Sequence, residues 1–479
     1  MSNPCDLDFE QFSLLNSLSE DNPILFRNVN LLDVLRNDIG LRLARSLRAG
    51  LSPECFATEG NLASEYDSRL NQCLNTCGED SKKLINYLAS SRVARRTPKK
   101  KIFLLQSTKL KRVADLLGSK DDIVSFSNKR NFTKRSTWAP VFSTPDLLSS
   151  YRNSGNFVPK IKDLLKGKVQ FLEEDWTFFE HDVVEGIYSI NRAYRSLQTY
   201  RPDLLIVGGD NFLPAVAFVL VAKNLQIPTF CLQHGLDCER FFHEQIYSDY
   251  FCAWGEARAE RCRKNSRFQP KEIFITGCPE FDDIRPIWSQ PGNLGNWLWL
   301  TRPHEPVKCC EPSRYPDEGP AIFKALLEAL IFFDAEQLVV KAHPRDDIRP
   351  YKALVDQFQL AGRVLFVEGR GGVNELIEQA GVVFSEDSTS GMEAMFFGKP
   401  VIHTHFSEAP PSLPFVEYGA ALPGFNADNI KSSLHALRSG NLDLQKNLKA
   451  GQRKFLQDYA GPLDGHSLAR VLDAIEKVI

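Results

Sequence analysis

Three hydroxyls in a row, Ser388, Thr389 and Ser390, follow two carboxylates, Glu386 and Asp387, where the apolar run Val382–Phe384 gives way to a helical pattern. A Ser or Thr at such a junction caps the helix by accepting from its free amides. Those amides, with the helix dipole, also attract an anion. Gly391 just beyond permits close backbone approach, so the cluster suits a phosphate. Glu393, one turn into the helix, is placed to accept from a ribose diol. A second cluster, "KAHPRDD", ends another apolar run. There Lys341 and His343 alternate with Val340 and Ala342, and Pro344 stops the strand and fixes His343 at its rim. An imidazole at that rim can donate to a phosphate oxygen and support a leaving group, with Lys341 adding positive charge. Asp210 stands behind Gly208-Gly209 at the end of "LLIV", and His234 lies in Gln-His-Gly after "TFCL". Either is a candidate general base, and Asp210 is also a candidate nucleophile. Glu173, in "EEDW", offers a further carboxylate for acid–base work. His403 and His405 alternate in "PVIHTHF" and could share a face. No cysteine or acid cluster accompanies them in sequence, so no metal site is expected.

These residues need elements that bring them together. "PDLLIVGGD", "IPTFCLQHG", "SDYFCAWG" and "EIFITGCP" are short apolar runs separated by helical segments. Continuous apolar runs mark strands buried on both faces, hence a parallel, helix-covered sheet. A second alternating series starts near Asn296 with "WLWLTRP", "QLVVKAHP", "RVLFVEG", "VVFSED" and "PVIHTHF". Between the series, the Pro- and Gly-containing stretch Ile287–Asn296 reads as a linker. The division falls near residue 290, giving segments 1–290 and 291–479, with a last helix that could cross back to the first. Residues 1 to about 100 read as mainly helical and polar, and 120–200 as mixed loops and helices. In open parallel sheets ligands bind outside the carboxyl ends of the strands, which is where the polar clusters fall.

Composition narrows the partners. The 479 residues carry 58 Lys plus Arg against 60 Asp plus Glu, a net charge of −2, so nothing global points to nucleic acid. The segment Ser91–Arg112 is an exception, with nine Lys or Arg and no acid. It reads as a solvated face or as a contact for an anionic acceptor or membrane surface. The 11 cysteines are irregularly spaced with no CxxC pair, which fits free thiols in a reducing cytoplasm. The acidic start "MSNPCDLDFEQ" lacks an apolar signal region. The longest apolar stretch, Phe212–Ala222, is too short to span a bilayer.

The ordered set "LQHG…SDYFCAWG…IFITGCPEFD…VVKAHP…SEDSTSGMEAMFFGKPVI" resembles bacterial GT-B glycosyltransferases of surface polysaccharide synthesis. Related patterns occur in CDP-glycerol glycerophosphotransferases, in capsule transferases using CMP-linked sugars and, more distantly, in UDP-N-acetylglucosamine 2-epimerases. The resemblance covers Pro202 to Phe406. It implies an α/β chain of two Rossmann-like domains facing a central cleft. The N-terminal domain would take a glycan or lipid-linked acceptor and the C-terminal domain a nucleotide-sugar donor. It implies a phosphate held by His343-Pro344 and Ser388-Thr389, no metal or other cofactor, and a cytoplasmic enzyme that could contact the inner face of the plasma membrane. The glycerophosphotransferases carry Trp-His-Gly and Asp-Tyr-Ser-Ser where this chain has Gln233-His234-Gly235 and Glu386-Asp387-Ser388-Thr389. The reading that results is a transferase of an acidic sugar such as Kdo from a CMP donor. The alternatives are a CDP-glycerol-type glycerophosphotransferase or a UDP-sugar 2-epimerase-like isomerase.

Overall fold

A computed structural model describes residues 14–40, 101–105, 110–120, 122–126, 137–139, 144–169, 173–236, 245–284, 293–302, 318–344, 346–369, 371–406 and 411–479. Most of the basic segment, most of the linker and most of the first hundred residues lie outside this set.

The first sheet has seven strands: β1 (Lys101–Leu105), β2 (Asp122–Phe126), β3 (Thr137–Ala139), β4 (Leu204–Val207), β5 (Thr229–Leu232), β6 (Tyr250–Ala253) and β7 (Glu272–Ile275). All pairings are parallel, in the order β3-β2-β1-β4-β5-β6-β7. The second has six: β8 (Asn296–Leu300), β9 (Gln337–Lys341), β10 (Val364–Val367), β11 (Val382–Ser385), β12 (Val401–Thr404) and β13 (Leu422–Gly424). Its order, β10-β9-β8-β11-β12-β13, is again fully parallel. Each sheet therefore shows the doubly wound order in which the chain reverses direction between its first and fourth strands, the place where such folds hold ligands.

Central strands are apolar on both faces because helices cover both. All four residues of β4, β5, β11 and β12 are buried. In the first half the covering helices include α1 (Lys111–Lys120), α2 (Thr144–Leu165), α3 (Glu173–Tyr200), α4 (Ala215–Asn224) and α5 (Glu256–Asn265). In the second they are α6 (Glu318–Phe332), α7 (Arg349–Phe358), α8 (Val373–Gln379), α9 (Thr389–Phe396), α10 (Ala427–Arg438) and α11 (Leu442–Ala460). Strands β2, β3 and β13 fall in stretches that the sequence pattern does not mark as strands. β3 and β13 have three residues each, and Asp122 and Ser125 in β2 and Pro423 in β13 interrupt the apolar run.

The last helix, α12 (Ser467–Val478), returns to the first sheet. Its Val471, Ala474 and Ile475 join Ile102, Leu104, Leu204 and Ile206 in one apolar cluster. Burying Val471 and Ile475 contributes about 1.5–3 kcal/mol each before entropy. Asp282, beyond β7, caps this helix: its Oδ1 accepts from Ser467 N at 2.9 Å and its Oδ2 from Leu468 N at 2.8 Å. Another apolar cluster spans both halves, with Trp254, Leu236 and Phe281 packed against Met392, Met395 and Phe396 of α9.

Candidate active site

Register brings the polar strand ends of the second half together. Leu300 lies beside both Lys341 and Ser385, and Ser385 beside His403. The residues that follow β8, β9, β11 and β12 thus emerge at one level. Thr301 Oγ1 accepts from His343 N at 2.9 Å, which ties the β9 exit to the β8 exit and sets the half-buried His343 next to the switch point. Arg302 bridges to the β11 exit: its amide donates to Glu386 Oε1 at 3.3 Å and its guanidinium to the carbonyl of Asp387. The sequence pattern drew no attention to Arg302, because a lone Arg before a Pro carries no motif.

The hydroxyl cluster divides its labour. Ser388 is extended (φ −144°, ψ 147°) and is the N-cap of α9. Its Oγ accepts from Ser390 N at 3.3 Å and lies 2.8 Å from Ser390 Oγ. Thr389 faces the first half, where its Oγ1 accepts from Leu236 N at 3.2 Å. Gly391 is required by packing: a Cβ there would lie 2.8 Å from Ser385 Oγ and 3.0 Å from Phe415. Its close approach is therefore to the protein interior, where the sequence reading expected a ligand. Glu393 is half-buried one turn further on.

Asp387 turns inward. Its Oδ1 accepts from His403 Nε2 at 3.0 Å and from Leu413 N at 3.0 Å, and its Oδ2 from Ser412 N at 2.9 Å. His405 Nδ1 is 3.6 Å from Oδ2. Burial alone would raise the pKa of this carboxyl. The His403 hydrogen bond, the charge of both imidazoles and the Ser412 amide outweigh it and hold the group well below the usual carboxylate range. The alternating histidines thus share a face, as their spacing suggests, and they share it with a carboxylate. Among the described residues no group of three or more His, Cys, Asp or Glu is arranged to hold a metal ion.

In the first half, His234 is exposed at the end of β5, next to Gly235 and Leu236, and so at the meeting with Thr389. Gln233 beneath it is buried. Its Oε1 accepts from Trp254 N at 2.7 Å and its Nε2 donates to Gly235 O at 2.8 Å. Asp210 is fully buried, away from any surface of the crevice. Its Oδ2 accepts from Tyr247 N at 2.9 Å and Ser248 N at 2.8 Å. Burial outweighs these hydrogen bonds and pushes its pKa up. Lys341 is also turned away: its Nζ donates to Gly369 O at 2.6 Å, fixing the turn after β10. Pro344 is exposed beside His343. Glu173 opens α3, and its side chain lies outside the described residues.

The structure therefore gathers His234, Arg302, His343, Ser388, Thr389 and Ser390, and leaves Asp210 and Lys341 in structural tasks. A small concavity at the carboxyl end of the first sheet, about 20 Å³, is lined by residues including Gly208, Leu232, Gln233, Trp254, Cys278 and Glu280. The four described cysteines, Cys231, Cys252, Cys262 and Cys278, are buried. No helix among the described residues is long and apolar enough to cross a membrane.

No family model and no curated protein matches this chain. Among solved structures it is similar to a candidate UDP-N-acetylglucosamine 2-epimerase from Listeria monocytogenes, with 16% identity and a TM-score of 0.51 over 80% of this chain and 97% of that one. It is also similar to the UDP-GlcNAc 2-epimerase from Neisseria meningitidis bound to UDP-GlcNAc (14% identity, TM-score 0.48, 79% of this chain and 100% of that one). A glycosyltransferase from Rickettsia africae matches at 11% identity and a TM-score of 0.47, over 80% of this chain and 99% of that one. Of these the first alone exceeds 0.5, and at such identities the likeness speaks for the fold. The chain has the α/β, GT-B-type architecture of paired Rossmann-like sheets that the sequence pattern implied.

Proposed function

We propose that this protein is an enzyme acting on a nucleotide-linked sugar held across the crevice. In this reading the phosphates sit at the N-terminus of α9, against Ser388, Ser390, Arg302 and His343, with the sugar toward His234. One observation carries it: two doubly wound sheets turn their polar carboxyl ends toward each other, with His234–Leu236 of one on Thr389 of the other. Amides and cations aimed at a developing phosphate charge stabilise the transition state where it is most polar. No cofactor is invoked.

The reaction we favour is isomerisation of a UDP-N-acetylhexosamine, of the 2-epimerase kind. The architecture spans 97% of the length of the Listeria protein, which favours this over the transfer of a CMP-linked acidic sugar. Inverting C2 requires its proton to leave while UDP departs from C1 and a C1–C2 double bond forms; return of UDP to C1 with a proton delivered to the opposite face of C2 completes the change. His234 is our candidate in the first half for one of these proton transfers. The alternative is glycosyl transfer to an acceptor, which the same paired sheets would also serve.

Thermal shift with UDP, CDP and CMP names the nucleotide. Incubation with UDP-N-acetylglucosamine in D2O without acceptor then separates the reactions. Deuterium at C2 is expected. Turnover only after an acceptor is added would favour transfer, and no shift with any nucleotide would sink both. Replacing His234 by Gln is expected to lower turnover by about 100-fold or more while nucleotide binding persists.

A further inference from the structure

Thr389 belongs to the hydroxyl cluster by sequence, yet its hydroxyl oxygen accepts from the Leu236 amide of the opposite half at 3.2 Å. Four observations bear on why. Ser388 and Ser390 bond to each other and cap α9 without Thr389. Gly235 runs alongside Thr389, where a Cβ would lie 3.6 Å from Thr389 Oγ1, at ordinary contact distance. Gln233 clamps the same loop from behind, with one end of its amide on Trp254 N and the other on Gly235 O. Leu236 itself packs into the apolar cluster shared with Met392 and Phe396 of α9.

We infer that Thr389 is a positioning residue, a latch through which α9 holds the Gln233–Leu236 loop and so sets His234 over the crevice. The arrangement has two ends on one helix. The cap at Ser388 and Ser390 meets the anion, and Thr389, on the neighbouring face, holds the loop that carries the imidazole. Because the Thr389 hydroxyl accepts from Leu236 N, its own proton stays available to donate toward the crevice. Occupancy at the cap and placement of His234 are thus linked through one short helix. The inference deepens the proposed nucleotide-sugar activity, and rests on it for its catalytic consequence alone.

Hydrogen exchange at the Leu236 amide tests the latch without any ligand. The full chain is compared with Thr389→Val, which keeps the shape and removes the hydroxyl, and with Thr389→Ser, which restores it. Loss of one hydrogen bond predicts exchange at Leu236 faster by roughly five- to tenfold in the Val variant and close to the natural rate in the Ser variant. Equal protection in all three overturns the latch. With UDP-N-acetylglucosamine as the probe, Thr389→Val should lower kcat by about tenfold with KM within twofold, and Thr389→Ser should recover it. A raised KM at unchanged kcat would make Thr389 a ligand contact and overturn the positioning role. Absence of turnover in the natural protein would count against the proposed function, while the exchange measurement would still decide the latch.

Discussion

The fourth strands of the two sheets, β4 and β11, end alike and behave oppositely. Each is followed within three residues by a buried aspartate, Asp210 or Asp387, whose carboxylate accepts from two successive backbone amides of a distant loop. Both therefore pin a loop beside the switch point. What differs is the charge around them. Asp387 has His403 at 3.0 Å and His405 at 3.6 Å, and its pKa is pulled down. Asp210 has the weaker influence of Arg258 as the last of its causes, and burial pushes its pKa up. The comparison teaches that two amide hydrogen bonds do not offset the burial of Asp210, whereas the imidazoles beside Asp387 add to its amides and turn the balance downward.

Breaking the stronger anchor gives the largest effect. Asp387→Ala leaves the His403 imidazole and two amides without their acceptor and removes the carboxylate beside His405, and is expected to cost about 3 kcal/mol, read from the urea midpoint. Asp387 also sets an acid limit. With its folded pKa depressed, its contribution is full above the unfolded value of about 3.9 and disappears as pH falls through the folded one. A stability profile taken downward from pH 5 should show this slope, and the Ala variant should lose it.

Removing the cap is a smaller blow. Ser388→Ala frees the Ser390 amide and should cost about 1 kcal/mol. If the cap also meets a phosphate, UDP affinity falls in the same variant, which ties the second half to the ligand.

The weakest effect is expected at Asp210. Asp210→Asn keeps an oxygen for the Tyr247 and Ser248 amides, and its NH2 occupies the place of Oδ1, which has no partner. Stability should change by less than about 1 kcal/mol. The pH dependence has the opposite sign to that of Asp387. A raised folded pKa means the native state holds its proton longer, so stability declines as pH rises from about 3.9 through the folded value. Asn should flatten that decline. Loss of turnover with stability and nucleotide binding intact would instead restore Asp210 to the chemistry.

Both sheets were legible in the sequence wherever strands are buried on two faces, as at Leu204–Val207 and Val382–Ser385, because the apolar runs there are unbroken. Edge strands such as Thr137–Ala139 and Leu422–Gly424 were not, since a short strand at a sheet margin needs no such run. The location of the chemistry, at strand ends, was also legible. Individual roles were not. "SEDSTS" reads as one polar cluster, yet Asp387 faces His403, Ser388 caps α9 and Thr389 reaches across to Leu236. Which way each side chain turns depends on β12 lying beside β11 and on the other half approaching α9. Neither neighbour is written in the local pattern. Arg302 escaped notice, and the clamping role of Gln233 stayed hidden, for the same reason, as their partners lie 85 and 21 residues away.

The return of α12 to the first sheet also has a consequence for how the molecule is made. The strands of that sheet are all translated by Ile275, yet the apolar face built on Ile102, Leu104, Leu204 and Ile206, which α1 covers in part, is completed only after Val471 and Ile475 leave the ribosome. Part of that face thus waits through the whole translation of the second sheet.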